Sequence, residues 1–116
     1  MTDTPNMEEM YRIVDKIKEL TMEYGKLQLK LSAARAAIIN KVMSDTNYWI
    51  KGKPPSMSFI EKTYLVNGID NVNLIEIMKE KENVKSELDY NKMLFEIKKL
   101  EVEIWRTQSA NQRALT

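Results

Sequence analysis

The stretch that decides the fold is residues 10–38, MYRIVDKIKELTMEYGKLQLKLSAARAAI. Its apolar residues advance by alternating steps of three and four, through Met10, Ile13, Ile17, Leu20, Tyr24, Leu27, Leu31, Ala34 and Ile38. This spacing is the heptad repeat of a coiled coil, which places these side chains on the face that a helix turns toward a partner helix. Asn6 and Glu9 have the spacing of a helix N-cap, and the repeat fails after Ile38. We therefore expect a helix over about residues 6–46.

A second long helix is predicted for about residues 74–108. Asn73 and Glu76 repeat the N-cap spacing, and no Gly or Pro follows them. The apolar residues form two registers: Leu74, Ile77, Val84 and Leu88 in the first, and Tyr90, Met93, Ile97, Leu100 and Ile104 in the second. Because the two registers do not share one frame, we expect the heptad to shift between them. Residues 107–116 have few apolar side chains, and we expect them to fray.

Between the two helices, residues 47–72 hold two of the three prolines and two of the three glycines, which predicts an irregular connector. Two structures remain open within it. One is a short helix that Ser58 and Glu61 cap and that Asn67-Gly68 ends; the other is a hairpin that turns at Asn67-Gly68. The fold class is predicted as all-α, with two long coiled-coil-like helices joined by an irregular connector that contains Pro and Gly.

The chain, residues 1–116, is predicted to form a single helical domain that self-associates. Two paired helices cannot cover all of its apolar side chains, so we expect a homo-oligomer. The candidate oligomerisation residues come from the apolar registers of both helices: Ile13, Ile17, Leu20, Leu27, Leu31, Ile97, Leu100 and Ile104. The alternative is a monomeric hairpin that packs against its own connector.

The composition removes several classes of chemistry. The chain has no His and no Cys, and it therefore lacks imidazole bases, thiol nucleophiles, disulfides and the usual zinc ligands. The carboxylates of residues 79–89 alternate with lysines, as on a solvated helix face, and no Gly-rich phosphate loop occurs. We expect no enzymatic activity, no metal and no cofactor.

The sequence also predicts a cytoplasmic protein. Its apolar runs are far shorter than the roughly 20 residues that a membrane helix needs. The N-terminus has neither the basic start nor the apolar core of a secretory signal. We therefore expect no membrane partner.

Positive charge is concentrated in the middle of the chain. The net charge is only +1, but residues 26–62 contain seven basic and two acidic residues, a net of +5. Aromatic rings lie among these lysines, and the candidate nucleic-acid-binding residues are Lys41, Tyr48, Trp49, Lys51, Lys53 and Lys62. Rings stack on unpaired bases at roughly 1–3 kcal/mol each while lysines neutralise phosphates, so the pattern predicts binding of single-stranded DNA. Rings that plug the connector onto the helix ends explain the same pattern equally well.

The order of these residues resembles that of the phage UvsY-type recombination mediator proteins over roughly residues 20–105. A long helix leads into Tyr48-Trp49 and Gly52-Lys53, and Phe59, Lys62-Thr63, Asp70 and Tyr90 follow in the same order. The resemblance implies a ring-like homo-oligomer that binds single-stranded DNA, helps to displace the single-strand-binding protein and loads a RecA-like recombinase. It further implies that Tyr48, Trp49, Lys51, Lys53 and Lys62 contact DNA and that none of them is catalytic.

The second functional hypothesis is a small phage-type helical protein that binds or inhibits a host protein. Such a protein needs the same coiled coil but no nucleic acid. Replacement of Lys51 and Lys53 by Glu separates the two hypotheses, because only the DNA-binding protein is expected to lose its ligand.

Overall fold

The structure is a computed structural model that describes residues 7–70 and 73–115. Its elements are α1 (Met7–Ser44), a 3-10 turn (Thr46–Tyr48), α2 (Met57–Ile60), a π-helical stretch (Glu61–Leu65) that continues α2, and α3 (Leu74–Leu115). No strand occurs in these described ranges. The predicted all-α fold, with two long helices and an irregular connector, is confirmed. Asn6, the predicted cap of α1, lies outside the described residues.

The described residues pack as two units. One consists of residues 7–22 and 84–115, and the other of residues 23–83. In the second unit α1 and α3 run antiparallel, because Tyr24 meets Lys81 while Ala34, further along α1, lies with Ile77 around one hollow. This unit is therefore a helical hairpin closed by the connector.

The predicted seam of α1 faces inward along its whole length. All nine seam residues between Met10 and Ile38 are buried or half-buried, with Leu20 and Ile38 among the most deeply buried side chains. Beyond Ile38 the inward face moves to Val42, which is fully buried, as the failure of the repeat there indicates. Burial of such side chains is the main source of stability for a helix pair.

The predicted shift of frame in α3 is wrong. One heptad frame runs through the whole helix, and its members are all buried or half-buried: Leu74, Ile77, Lys81, Val84, Leu88, Asn91, Phe95, Lys98, Val102 and Trp105. The frame stays continuous because each of its three polar residues has a partner. Lys81 Nζ lies 5.2 Å from the centroid of the Tyr24 ring, Asn91 donates to the Glu87 carbonyl, and Lys98 pairs with Glu9.

Local hydrogen bonds and composition explain where α3 begins and how far it extends. The side chain of Asn73 accepts hydrogen bonds from the backbone N–H groups of Ile75 and Glu76, which confirms the predicted N-cap. The helix that we expected to end near residue 108 continues to Leu115, the last described residue, and the expected fraying of residues 107–116 stays a prediction. Residues 107–115 contain neither Gly nor Pro, and Thr107 and Arg113 bond back to carbonyls one turn earlier.

The connector folds onto the hairpin through α2. Of the two predicted structures for this segment the helix is correct and the hairpin is wrong, although the helix begins at Met57 with Ser56, not Ser58, as its cap. It ends at Gly68, whose φ of 79° and bond to the Tyr64 carbonyl are those of a left-handed C-cap. Ile60 of α2 is fully buried in a core cluster with Ile38, Val42 and Leu74.

Candidate functional site

Lys51 and Lys53 lie on a tight turn of the connector. Ile50 and Lys53 exchange two backbone hydrogen bonds, and both Lys51 (φ 51°) and Gly52 (φ 74°) have left-handed backbones, which defines a type I′ turn. A lysine in this conformation costs roughly 1–2 kcal/mol relative to glycine. Both lysine side chains are exposed.

The other two predicted DNA-contacting lysines have different surroundings. Lys41 Nζ lies 3.9 Å from a carboxylate oxygen of Asp45 and 3.7 Å from one of Asp70, so its charge is locally balanced. Lys62 is exposed on the π-helical stretch. No carboxylate lies within 4 Å of Lys51, Lys53 or Lys62 in the described part of the chain.

The aromatic residues of the connector are used mainly for packing. Tyr48 is half-buried against the core cluster and meets Tyr64 edge to face, with ring centroids 5.3 Å apart. Trp49 is half-buried, and its indole N–H donates to the Met43 carbonyl at 3.3 Å. Tyr48 therefore packs the connector against the ends of the long helices. Phe59, which stacks edgewise on Tyr64 and is 39% exposed, is the ring left most open to a base.

An apolar stripe on the outside of α3 is the second candidate surface. We call it the outer stripe, and it consists of Tyr90, Met93, Ile97, Leu100 and Ile104. These side chains are 45–56% exposed and are spaced by three and four residues, as in a heptad. At about 100° per residue they point within about 40° of one direction, which is about 150° around the helix from the inward face. In this half of its length α3 has two apolar faces on nearly opposite sides.

The predicted oligomerisation residues divide between the inward seam of α1 and the outer stripe of α3. Ile13, Leu20 and Leu27 are buried within the chain itself, and Ile17 and Leu31 are half-buried there. Ile97, Leu100 and Ile104 belong to the outer stripe and are exposed. Only these last three are available to another molecule without opening the helix pair.

Tyr90 and Met93 complete the outer stripe but were not among the predicted interaction residues. Their spacing to Ile97 was visible in the sequence, where it was interpreted as a second register of the inward seam. The unbroken frame through Lys81, Asn91 and Lys98 shows that Tyr90 and Met93 belong to the outer stripe and not to the inward seam. Because this frame already forms the inward face, the register of Tyr90 must lie on the outer side of α3.

The described residues offer little of what catalysis or metal binding requires. Within residues 7–70 and 73–115, no polar or charged side chain is buried, and no group of three Asp or Glu side chains could hold a metal ion. A hollow of about 480 Å³ between α1 and α3 is lined by Lys30, Ala34, Asn73, Ile77 and Glu80 and lies open to solvent. In the part of the chain that is described, none of the helices has the length and apolar character needed to cross a bilayer.

Compared with protein-family models, with curated proteins and with solved structures, the chain matches none.

Proposed function

We propose that this chain is a non-enzymatic helical interaction protein that binds another helix through the outer stripe. The single observation that carries the proposal is that α3 presents a heptad-spaced apolar face to solvent, while its inward face already meets α1 where Lys98 pairs with Glu9. A helix that is apolar on two sides is adapted to lie between two neighbours, and within residues 7–70 and 73–115 the chain supplies only one of them.

The exposed fraction of the stripe side chains sets how much their burial can contribute to binding. Complete burial of one large apolar side chain is worth about 1.5–3 kcal/mol, and the members of the outer stripe have roughly half of that still to gain. Five such side chains together offer several kcal/mol, before the cost of association is subtracted. A complex of this kind does not require that α1 and α3 separate, because the inward seam stays closed.

The test is to measure association when the outer stripe is made polar. We expect the double variant Ile97→Ser/Leu100→Ser to lose complexes, with itself or with another protein, that the wild-type chain forms in sedimentation velocity. We also expect a photo-crosslinker at position 100 of the otherwise wild-type chain to form adducts with the partner. A photo-crosslinker at Gln28, an exposed residue of α1, is the control position. If position 100 gives no adduct and the chain sediments as a monomer in the presence of its host extract, the proposal is wrong.

Single-stranded DNA binding by the connector is the second candidate function, and one observation favours it. Lys51, Lys53 and Lys62 are exposed without a carboxylate within 4 Å in the described ranges. They are free to neutralise phosphates, and the half-exposed ring of Phe59 could stack on a base. Loading of a RecA-like recombinase, displacement of single-strand-binding protein and action in the cytoplasm stay predictions of this hypothesis.

Fluorescence anisotropy with a labelled oligonucleotide tests the second candidate. We expect binding at low salt that weakens as salt rises, and we expect the double variant Lys51→Glu/Lys53→Glu to reduce the slope of log K against log salt by about 0.7 per lysine removed. Lys26→Glu/Lys30→Glu makes the same change of net charge on α1 and is the matched control. Equal loss in both variants would mean that the connector has no specific role, and no binding at low salt would exclude the function.

A further inference from the structure

The charged residues next to the outer stripe are all acidic. Asp89, Glu96 and Glu103 are spaced by seven residues along one border of the stripe, and Glu101 lies on the other border. At about 100° per residue, these carboxylates point about 60–100° away from the centre of the stripe. All four side chains are exposed.

The basic residues of the same segment lie further round the helix. Lys92, Lys98 and Lys99 point about 120–140° away from the centre of the stripe, and of these Lys98 lies on the side of the inward face. Lys98 is already engaged with Glu9 at 3.3 Å and with Glu101 at 3.4 Å. A helix that docked on the stripe would therefore meet an apolar strip with a negative border along residues 89–104.

We propose, on the basis of the function proposed above, that the occupant of the outer stripe is an amphipathic helix whose apolar face is bordered by Lys or Arg. Residues that flank the apolar seam of a helix pair decide the choice of partner through their charges. Opposite charges on the partner complement Asp89, Glu96, Glu101 and Glu103.

A second copy of the same stripe fits less well. If two outer stripes pair in parallel, Glu96 of one copy faces Glu101 of the other, and if they pair antiparallel, Glu96 faces Glu103. Either arrangement brings like charges together beside the apolar contact. The border of the stripe therefore selects against symmetric pairing and in favour of a basic helix.

The C-terminal end of the stripe has a hollow that can bind one long basic side chain. A shallow hollow of about 230 Å³ is lined there by Leu100, Glu103, Ile104, Thr107 and Gln108. A Lys or Arg stem lies well on the methyl groups of Leu100 and Ile104 while its charged end reaches the Glu103 carboxylate. The hollow thus combines an apolar surface and a carboxylate, the two features that a Lys or Arg side chain of the partner needs.

The experiment compares two synthetic helical peptides that share one apolar face of Leu and differ only in the flanking residues, which are Lys in one and Glu in the other. Their binding to the full chain is measured by fluorescence anisotropy at low and high salt. We expect the Lys-flanked peptide to bind at least about tenfold more tightly at low salt, with a difference that shrinks as salt rises.

Charge-reversed variants assign the preference to the stripe. We expect Glu96→Lys/Glu103→Lys to reverse the order of the two peptides. Glu23→Lys/Glu80→Lys makes the same change of net charge at exposed residues outside the stripe, and we expect it to keep the wild-type order. Both peptides should bind poorly to the Ile97→Ser/Leu100→Ser variant.

The outcomes distinguish this inference from the function on which it rests. Equal binding of both peptides, or tighter binding of the Glu-flanked one, would overturn the basic partner while the stripe remained a binding surface. Stripe-dependent dimers of the wild-type chain would also overturn it, in favour of a second copy. If neither peptide binds and no self-association depends on the stripe, both the inference and the proposed function fail.

Discussion

At the scale of single residues, two glycines with equal space around them are expected to respond oppositely to the same substitution. A Cβ added at Gly25 or at Gly52 meets no atom within 4 Å. Gly25 is an exposed residue within α1, whereas Gly52 has a φ of 74°. Gly25→Ala should raise the free energy of unfolding by up to about 1 kcal/mol, and Gly52→Ala should lower it by about 1–2 kcal/mol. Urea denaturation of both variants checks this, and a change of the same sign at both sites would contradict it.

Lys98 is the residue whose protonation the fold changes most clearly. The hydrogen bond to the Glu9 carboxylate raises the pKa of Lys98, partial burial opposes this, and the charges of Glu101 and Glu9 add to the increase. Since the pKa of Lys98 is higher in the folded than in the unfolded chain, its contribution to stability is present below about pH 10.5 and is lost as the pH rises through the higher value.

NMR titration of the Lys98 side chain tests the assignment to Glu9. We expect Glu9→Gln to lower the pKa of Lys98, because the neutral amide accepts a weaker hydrogen bond from the ammonium group and carries no charge. The same titration in Glu101→Gln should give a smaller decrease. An unchanged pKa in Glu9→Gln would show that another group causes the shift.

At the scale of the element, α2 closes the hairpin by packing one of its faces against both long helices. Ile60 is fully buried between the two long helices, and its neighbour Phe59 is 39% exposed. Ile60→Ala should cost about 2–5 kcal/mol of unfolding free energy because it leaves a cavity in the core cluster, and Phe59→Ala should cost clearly less. Thermal unfolding followed by circular dichroism compares the two variants, and equal losses would mean that α2 does not hold the hairpin closed in this way.

At the scale of the whole molecule, the inward seam and the outer stripe are expected to have separate roles. Leu20 is buried in the seam, and Leu100 is exposed in the outer stripe. Leu20→Ala should lower the free energy of unfolding by about 2–5 kcal/mol, whereas Leu100→Ala should change it by no more than about 1 kcal/mol. Chemical denaturation at a concentration where the chain is monomeric measures both. A large loss in Leu100→Ala would mean that the stripe is part of the fold.

The sequence alone determined the type of both long helices, the approximate limits of α1, the start of α3 and the inward face of α1. The seam of α1 could be predicted because its apolar residues follow one frame without interruption, and such a pattern can only be buried on one side of a helix. The cap at Asn73 and the stop at Gly68 could also be predicted, since capping depends on local hydrogen bonds and backbone angles.

The tertiary structure alone decided which face of α3 lies inside and how the connector packs. Lys81, Asn91 and Lys98 interrupt the apolar pattern. The carbonyl that accepts from Asn91 belongs to the same helix, but a sequence does not show that the Tyr24 ring and the Glu9 carboxylate, both on α1, lie beside Lys81 and Lys98. The roles of the connector rings were undecided for the same reason, because burial depends on residues distant in sequence, such as the Tyr64 that Tyr48 meets. Contacts between segments far apart in the chain, which no local pattern records, turned the second apolar register into an outer surface.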